Sequence, residues 1–262
     1  MQAANRLQKA LRSGSPTFGA WQMFPSTNVS RALARSGPDW ICVDTEHGNI
    51  DDGQMHECVA AVAACGVSPV VRVAANESWM VKRALDAGAH GVVVPLLKTA
   101  EDARQIVSSA KFPPQGTRGF GSPFPMEKFY TADKGSVKMT DYLQQANDSI
   151  VTVVQIETKE ALENVDEIAA VPGVDVLLIG PFDLGNNIGY PIIESMHDEL
   201  HAAISRIHES AKKAGKHTGI YCTSGEQAKE YASKGYHMIS TFTDATALPQ
   251  ASQAAFNAAR GS

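Results

Sequence analysis

Cysteine is scarce: Cys42, Cys58, Cys65 and Cys222 are the only four in 262 residues, and no two form a CxxC pair. Such spacing argues for buried thiols rather than bridges. No apolar run approaches the roughly 18 residues that a membrane-spanning helix needs. The opening MQAANRLQKALRSGSP also lacks the apolar centre of a signal peptide. The expectation is a cytoplasmic protein without a membrane partner. Basic charge is not in excess either; the net charge of −5 gives no electrostatic ground for nucleic acid or anionic lipid as a partner. There is no GxGxxG or Walker loop after a strand, no GxSxG elbow and no context for a catalytic cysteine. The segment HDELH sets His197 and His201 at i and i+4, but Asp follows the first histidine and no strand end is near, so a metal role there is disfavoured. These exclusions leave a small molecule as the default ligand.

What is present is a globular composition, 44% hydrophobic and 19% charged, arranged with a clear rhythm. Eight short apolar runs, rich in β-branched residues, span residues 18–24, 40–46, 68–74, 91–97, 149–158, 174–180, 217–223 and 237–243. Helical stretches with Ser, Thr, Asp or Asn near their starts lie between them, at 26–37, 51–66, 76–88, 99–110, 158–170 and 224–235, and several end in Gly. Strands apolar on both faces, alternating with helices, form a parallel sheet. Eight such units in a chain near the ~250 residues of a (β/α)8 barrel predict closure rather than an open sheet, with one domain over 1–262. Two segments exceed the repeat. Residues 112–148 form a Gly/Pro-rich connection with one extra helix expected at 137–146, and loops of this length usually serve a site or a contact. The Ala-rich end after residue 243 predicts a helix that either seals the barrel or reaches a neighbouring subunit.

In a parallel barrel all strand ends on one side share a face, so polar residues distant in sequence converge there. The second run ends in Asp44, Glu46 and His47; the third carries Arg72; the fifth ends in Gln155 and Glu157; the sixth runs into GPFD with Asp183. Alternation puts Asp44 with Glu46, and Gln155 with Glu157, on common faces. A buried Arg72 needs a partner, and the carboxylates nearby supply one. Glu157 and Asp183 are either surface carboxylates in salt bridges or the oxygen ligands of a divalent cation such as Mg²⁺, with Mn²⁺ or Co²⁺ as substitutes. His47 is either a histidine satisfied within its turn or a general base. Trp21, Phe120, Pro123, Phe124 and Phe182 either pack locally or wall an apolar pocket.

The stretches VDTEHG, PVVRV, RALDAGAHGVVVPLLKTAEDAR, FPPQGTRGFG and VQIETKEALENVDEIAAVPGVDVLLIGPFDLGNNIGYP together resemble the HpcH/HpaI family of metal-dependent class II pyruvate aldolases, over nearly the whole chain. The GFGSPF loop is also similar to fungal macrophomate synthase, which uses the enolate formed when oxaloacetate loses CO₂. The resemblance implies a carbon–carbon lyase acting on 4-hydroxy-2-oxo acids, giving pyruvate and an aldehyde. It implies that Glu157 and Asp183 hold the metal, that His47 accepts the proton, and that Arg72 stabilises the transition state. Gln155 and Phe182 would contact substrate, and Asp86 would raise the basicity of the histidine. It further implies a trimer or hexamer of identical chains. Phe182 departs from the small residue found in many relatives, which implies a narrower or more apolar acceptor pocket. Rival expectations are an oxaloacetate decarboxylase, a lyase for acyl-CoA thioesters, which would need a basic patch that the sequence does not offer near the site, and a non-catalytic metabolite-binding barrel.

Overall fold

The computed structural model describes residues 1–133 and 135–261. Its centre is a closed barrel of eight parallel strands in sequence order. They are β1 (Thr17–Gln22), β2 (Trp40–Asp44), β3 (Ser68–Arg72), β4 (Gly91–Val94), β5 (Val151–Ile156), β6 (Val176–Ile179), β7 (His217–Ile220) and β8 (Met238–Thr243), with β8 pairing back to β1. The eight strands stand where the apolar runs predicted them, but each is shorter. At β2 the cause is visible: the Asp44 carboxylate accepts the backbone N–H groups of Glu46 at 3.1 Å and His47 at 3.3 Å. That side chain-to-backbone turn stops the ladder before Glu46.

The helices are α1 (Arg6–Arg12), α2 (Thr27–Arg35), α3 (Asp52–Ala64), α4 (Ser78–Asp86), α5 (Ala100–Ala110), α6 (Met139–Ser149), α7 (Lys159–Glu163), α8 (Val165–Ala169), α9 (Pro181–Ile188), α10 (Asp198–Lys213), α11 (Gly225–Ser233) and α12 (Asp244–Arg260). The stretch read as one helix over 158–170 is two. Asn164 leaves helical geometry (φ −95°, ψ 12°), and its side chain donates to the Lys98 carbonyl at 3.0 Å. The extra helix of the long connection lies at 139–149, shifted toward β5, and a 3-10 turn (Pro125–Phe129) precedes it. Its last turn is held from outside: Asn147 bonds both backbone groups of Phe112, and the Lys111 ammonium donates to the Asn147 and Ile150 carbonyls.

Two apolar layers follow from strand alternation. Outward residues pack under the helices, while Trp40, Cys42, Val70, Val93, Val151, Val153, Val176, Leu178 and Met238 fill the barrel interior. The N-terminal end of the barrel is shut. Leu7 and Leu11 of α1 pack into that interior cluster, and Asn5 donates to the carbonyls of His90 and Ser149, both at 2.8 Å. The Trp40 indole occupies the space above Gly19, where a β-carbon would stand 2.1 Å from the ring. Three of the cysteines are buried as expected; Cys65 is exposed, because it caps the surface end of α3. Helix α12 buries only Asp244, whose carboxylate accepts the N–H groups of Met23 and Phe24, and leaves Leu248 and Phe256 about 60% exposed. Among the described residues no helix is long and apolar enough to cross a membrane.

Candidate active site

Extending the interior rows by two residues per step builds the site. Trp40 and Cys42 lead to Asp44, Val70 to Arg72, Val151 and Val153 to Gln155 and Glu157, and Val176 and Leu178 to Gly180. The rows that pack the core lower down thus deliver polar groups at the C-terminal mouth, where function concentrates in this fold. A cavity of about 330 Å³ opens there, bordered by Asp44, His47, Arg72, Gln155 and Asp183 among others.

Arg72 is the fixed point. Its Nε and Nη2 donate to the two oxygens of Asp44 at 2.9 and 2.6 Å, a bidentate charged pair in which Asp44 is 1% exposed. Nη1 lies 3.0 Å from Glu46 Oε2, out of line for a hydrogen bond, and the guanidinium sits 4.4 Å above the Trp21 ring. Burial works against the guanidinium charge, but the hydrogen bonds and charges of Asp44 and then Glu46 outweigh it and hold its pKa above the ordinary value. Glu46 moves upward: burial raises it more than Arg72 and His47 lower it.

Two strands further round, just past β5, stands Glu157, also 1% exposed. One oxygen accepts the Leu96 N–H at 2.9 Å, and the other accepts the Gln155 amide. Leu96 adopts φ +58°, a conformation that costs a non-glycine residue roughly 1–3 kcal/mol and that aims its N–H at the carboxylate. Gly180 leaves the room: a β-carbon there would stand 2.6 Å from Glu157 Oε2 and 3.0 Å from Gln155 Nε2. Asp183 sits in the first turn of α9 rather than on the strand, because Pro181 at the first helical position starts a helix directly after β6. Burial pushes the Glu157 carboxyl up to about 7, and the charges of Asp183 and Glu46 add to the rise.

Two carboxylates near enough to repel each other's charge, together with the unpaired buried Gln155 Oε1, fit a hard divalent cation with water and substrate as further ligands. Among the described residues no group of three or more His, Cys, Asp or Glu side chains is placed to hold a metal. A site built from Glu157 and Asp183 therefore relies on oxygens from elsewhere. The first histidine of HDELH serves otherwise: His197 caps α10 by accepting the Glu199 N–H and stacks on Tyr190.

The remaining candidates divide. His47 borders the cavity with its side chain 58% exposed, 3.9 Å from Glu46. Trp21 and Phe182 also border it, joined edge-to-face through Tyr221 at 5.7 and 6.2 Å. Phe120 and Phe124 do not line this cavity; they pack on Phe112 and His56. Asp86 is not brought to this mouth: it ends α4 and pairs at 3.0 Å with Arg118, a buried arginine seated on Phe112. Sequence reasoning missed Tyr221, Thr223, Thr243 and Thr246 as lining residues, although the first two follow β7 and the last two bracket the turn into α12, positions that barrel geometry marks.

Known proteins resemble this chain over most of its length. The family model described as HpcH/HpaI aldolase/citrate lyase matches residues 18–251. The chain is 40% identical to the 2-dehydro-3,6-dideoxy-6-sulfogluconate aldolase of Pseudomonas putida, covering 89% of both chains. It is 34% identical to the 4-hydroxy-2-oxo-heptane-1,7-dioate aldolase of Shigella sonnei, covering 95% of this chain and 93% of the relative. Among solved structures, macrophomate synthase superposes with a TM-score of 0.86 at 26% identity, over 99% of this chain and 89% of that one. A family-model match over residues 18–251 and relatives up to 40% identical over most of its length show that this chain belongs to the HpcH/HpaI aldolase/citrate lyase family.

Proposed function

We propose that this protein is a divalent-cation-dependent aldolase, a carbon–carbon lyase that cleaves or forms 4-hydroxy-2-oxo acids with pyruvate and an aldehyde as the other side of the reaction. The observation that carries the reading is one cavity bordered by a buried arginine, held in place by Asp44, and by Asp183 and Gln155, with the buried Glu157 bonded to Gln155 just behind the lining and close enough to Asp183 to feel its charge. Glu157 and Asp183 would hold the cation, Mg²⁺ or alternatively Mn²⁺ or Co²⁺. When bound it would supply Lewis-acid polarisation of the 2-oxo group and an anchor for the neighbouring carboxylate.

Arg72 donates hydrogen bonds to the 2-oxo oxygen, on which negative charge grows as the enolate forms. Its bidentate hold on Asp44 means that the donors need no reorganisation at that moment. Gln155 and Trp21, whose Oε1 and Nε1 are buried and unpaired at the cavity, offer an acceptor and a donor to the bound acid or its waters. In cleavage His47 takes the proton of the 4-hydroxyl, the C3–C4 bond breaks, and its electron pair becomes the enolate of pyruvate while C4 leaves as the aldehyde. In synthesis the same enolate carbon bonds to the aldehyde carbon and His47 returns the proton.

Oxaloacetate decarboxylation is a second reading. It reaches the same enolate by losing CO₂ and requires no base, and His47, the sole histidine among the described residues that line the cavity, is more than half exposed and 3.9 Å from Glu46. The exposed apolar length of α12 supports assembly into a homo-oligomer. The test is pyruvate release from a panel of 4-hydroxy-2-oxo acids and from oxaloacetate, with Mg²⁺, Mn²⁺ or Co²⁺ and after complete chelation. Release from the hydroxy acids that chelation abolishes is expected, whereas unchanged release after chelation refutes the cation's role.

A further inference from the structure

We infer that the aldehyde taken by this site is uncharged and carries an apolar substituent, so that anionic aldehydes are poor partners here. The inference rests on the aldolase reading above and concerns the half of the cavity that the keto acid does not need. Among the described residues that line the cavity, Arg72 is the sole Lys or Arg; its Nε and Nη2 are engaged by Asp44, and its remaining donors serve the 2-oxo oxygen in that reading. Four carboxylates act on one another at this mouth, Asp44 and Glu46 sharing one guanidinium and Glu157 and Asp183 lying within reach of Glu46. A divalent cation leaves the balance negative even before the keto acid brings its own carboxylate. A second anionic group on the acceptor would enter against that field, and His47, the other lining residue that can carry positive charge, is taken up by the aldehyde oxygen to which it returns the proton.

The wall available to the acceptor is of a different kind. Tyr221 and Phe182 line it as an edge-to-face aromatic pair, with Phe182 45% exposed, and the lining also includes the neutral hydroxyl residues Thr223 and Thr246. Such a surface gains from covering an alkyl or aryl chain and offers no charge partner to a carboxylate or sulfonate. The relative from Pseudomonas putida is named for a sulfonated sugar acid; by this reasoning the present chain does not share that preference.

Butanal and succinic semialdehyde decide the matter, because they share a four-carbon chain and differ by a methyl against a carboxylate. With the Mg²⁺-loaded protein and pyruvate, kcat/KM for butanal is expected to exceed that for succinic semialdehyde by at least tenfold, with benzaldehyde also accepted. Thr223→Arg is expected to move the ratio at least tenfold toward succinic semialdehyde, while Thr223→Gln, of similar bulk, leaves it unmoved. Equal or better use of succinic semialdehyde by the unmodified protein overturns the inference. Exchange of the pyruvate methyl protons with deuterated solvent separates the two levels of failure. Exchange with the wrong acceptor order removes only this inference, whereas no exchange and no aldehyde consumption removes the aldolase reading as well.

Discussion

A double-mutant cycle on Asp44 and Arg72 tests the central feature of the site. Two charge-assisted hydrogen bonds at 2.9 and 2.6 Å join the pair, and both side chains are at least 90% buried. Charge-assisted bonds contribute about 1.5–3 kcal/mol each, and removing one partner of a buried pair costs about 3–5 kcal/mol because the survivor keeps an uncompensated charge. Asp44→Ala should fall near the lower end, about 3 kcal/mol, since Glu46 at 3.0 Å and the Trp21 ring at 4.4 Å still face the guanidinium. Arg72→Ala should fall near about 5 kcal/mol, because it leaves the Asp44 and Glu46 carboxylates together without a counter-charge. The double variant has no orphaned partner on either side of the former pair. It should lose about 5 kcal/mol rather than the roughly 8 of independent sites, a coupling of about 3 kcal/mol. Urea unfolding of the four proteins at pH 7 measures this. Additivity within about 0.5 kcal/mol would falsify the clamp as a coupled unit.

Other outcomes follow from the same geometry. Arg72→Ala should abolish pyruvate release while cation affinity, read by calorimetry with Mn²⁺, stays within a few-fold; loss of cation binding would mean that the arginine's role is misassigned. Glu157→Gln should remove the upward shift in melting temperature that Mg²⁺ or Mn²⁺ produces in the unmodified protein, and an unchanged shift would place the cation elsewhere. Gly19→Ala drives a methyl to 2.1 Å from the Trp40 ring, an overpacking cost of about 3 kcal/mol that a calorimetric scan would register as a clear fall in melting temperature. Burial lowers His90 to about 4, so the folded protein keeps it neutral while an unfolded chain protonates near 6.5. Its contribution is intact above pH 6.5 and is lost as pH falls toward 4, amounting to about 3 kcal/mol, and His90→Gln should flatten that part of the urea midpoint profile.

Much of this site was legible in the residues because strand alternation is strict. Once Val151 and Val153 are read as interior, Gln155 and Glu157 must follow them inward, and the same logic carries Val70 to Arg72. What stayed hidden depends on tertiary context. Glu46 reads as strand, yet the Asp44 carboxylate takes its N–H and turns the chain first. No propensity places Leu96 in the left-handed region; only the need to donate to a buried carboxylate explains it. Asp86 has no local signature that would reveal Arg118, thirty-two residues on, as its partner. Tyr221 reads as the continuation of an apolar run, and its contact with Phe182 depends on how two successive loops lean together.

The sealed floor makes the barrel a cul-de-sac. With α1 and Trp40 closing one end, ligands arrive and depart at the C-terminal mouth, where His47 and Phe182 are exposed, while the guanidinium and its Asp44 partner are buried. Queueing follows. In synthesis the keto acid must be seated before the aldehyde blocks its corridor, and in cleavage the aldehyde must vacate first, leaving pyruvate as the last to go. The kinetic signature is an ordered sequence, with pyruvate the product that competes directly against the incoming hydroxy acid.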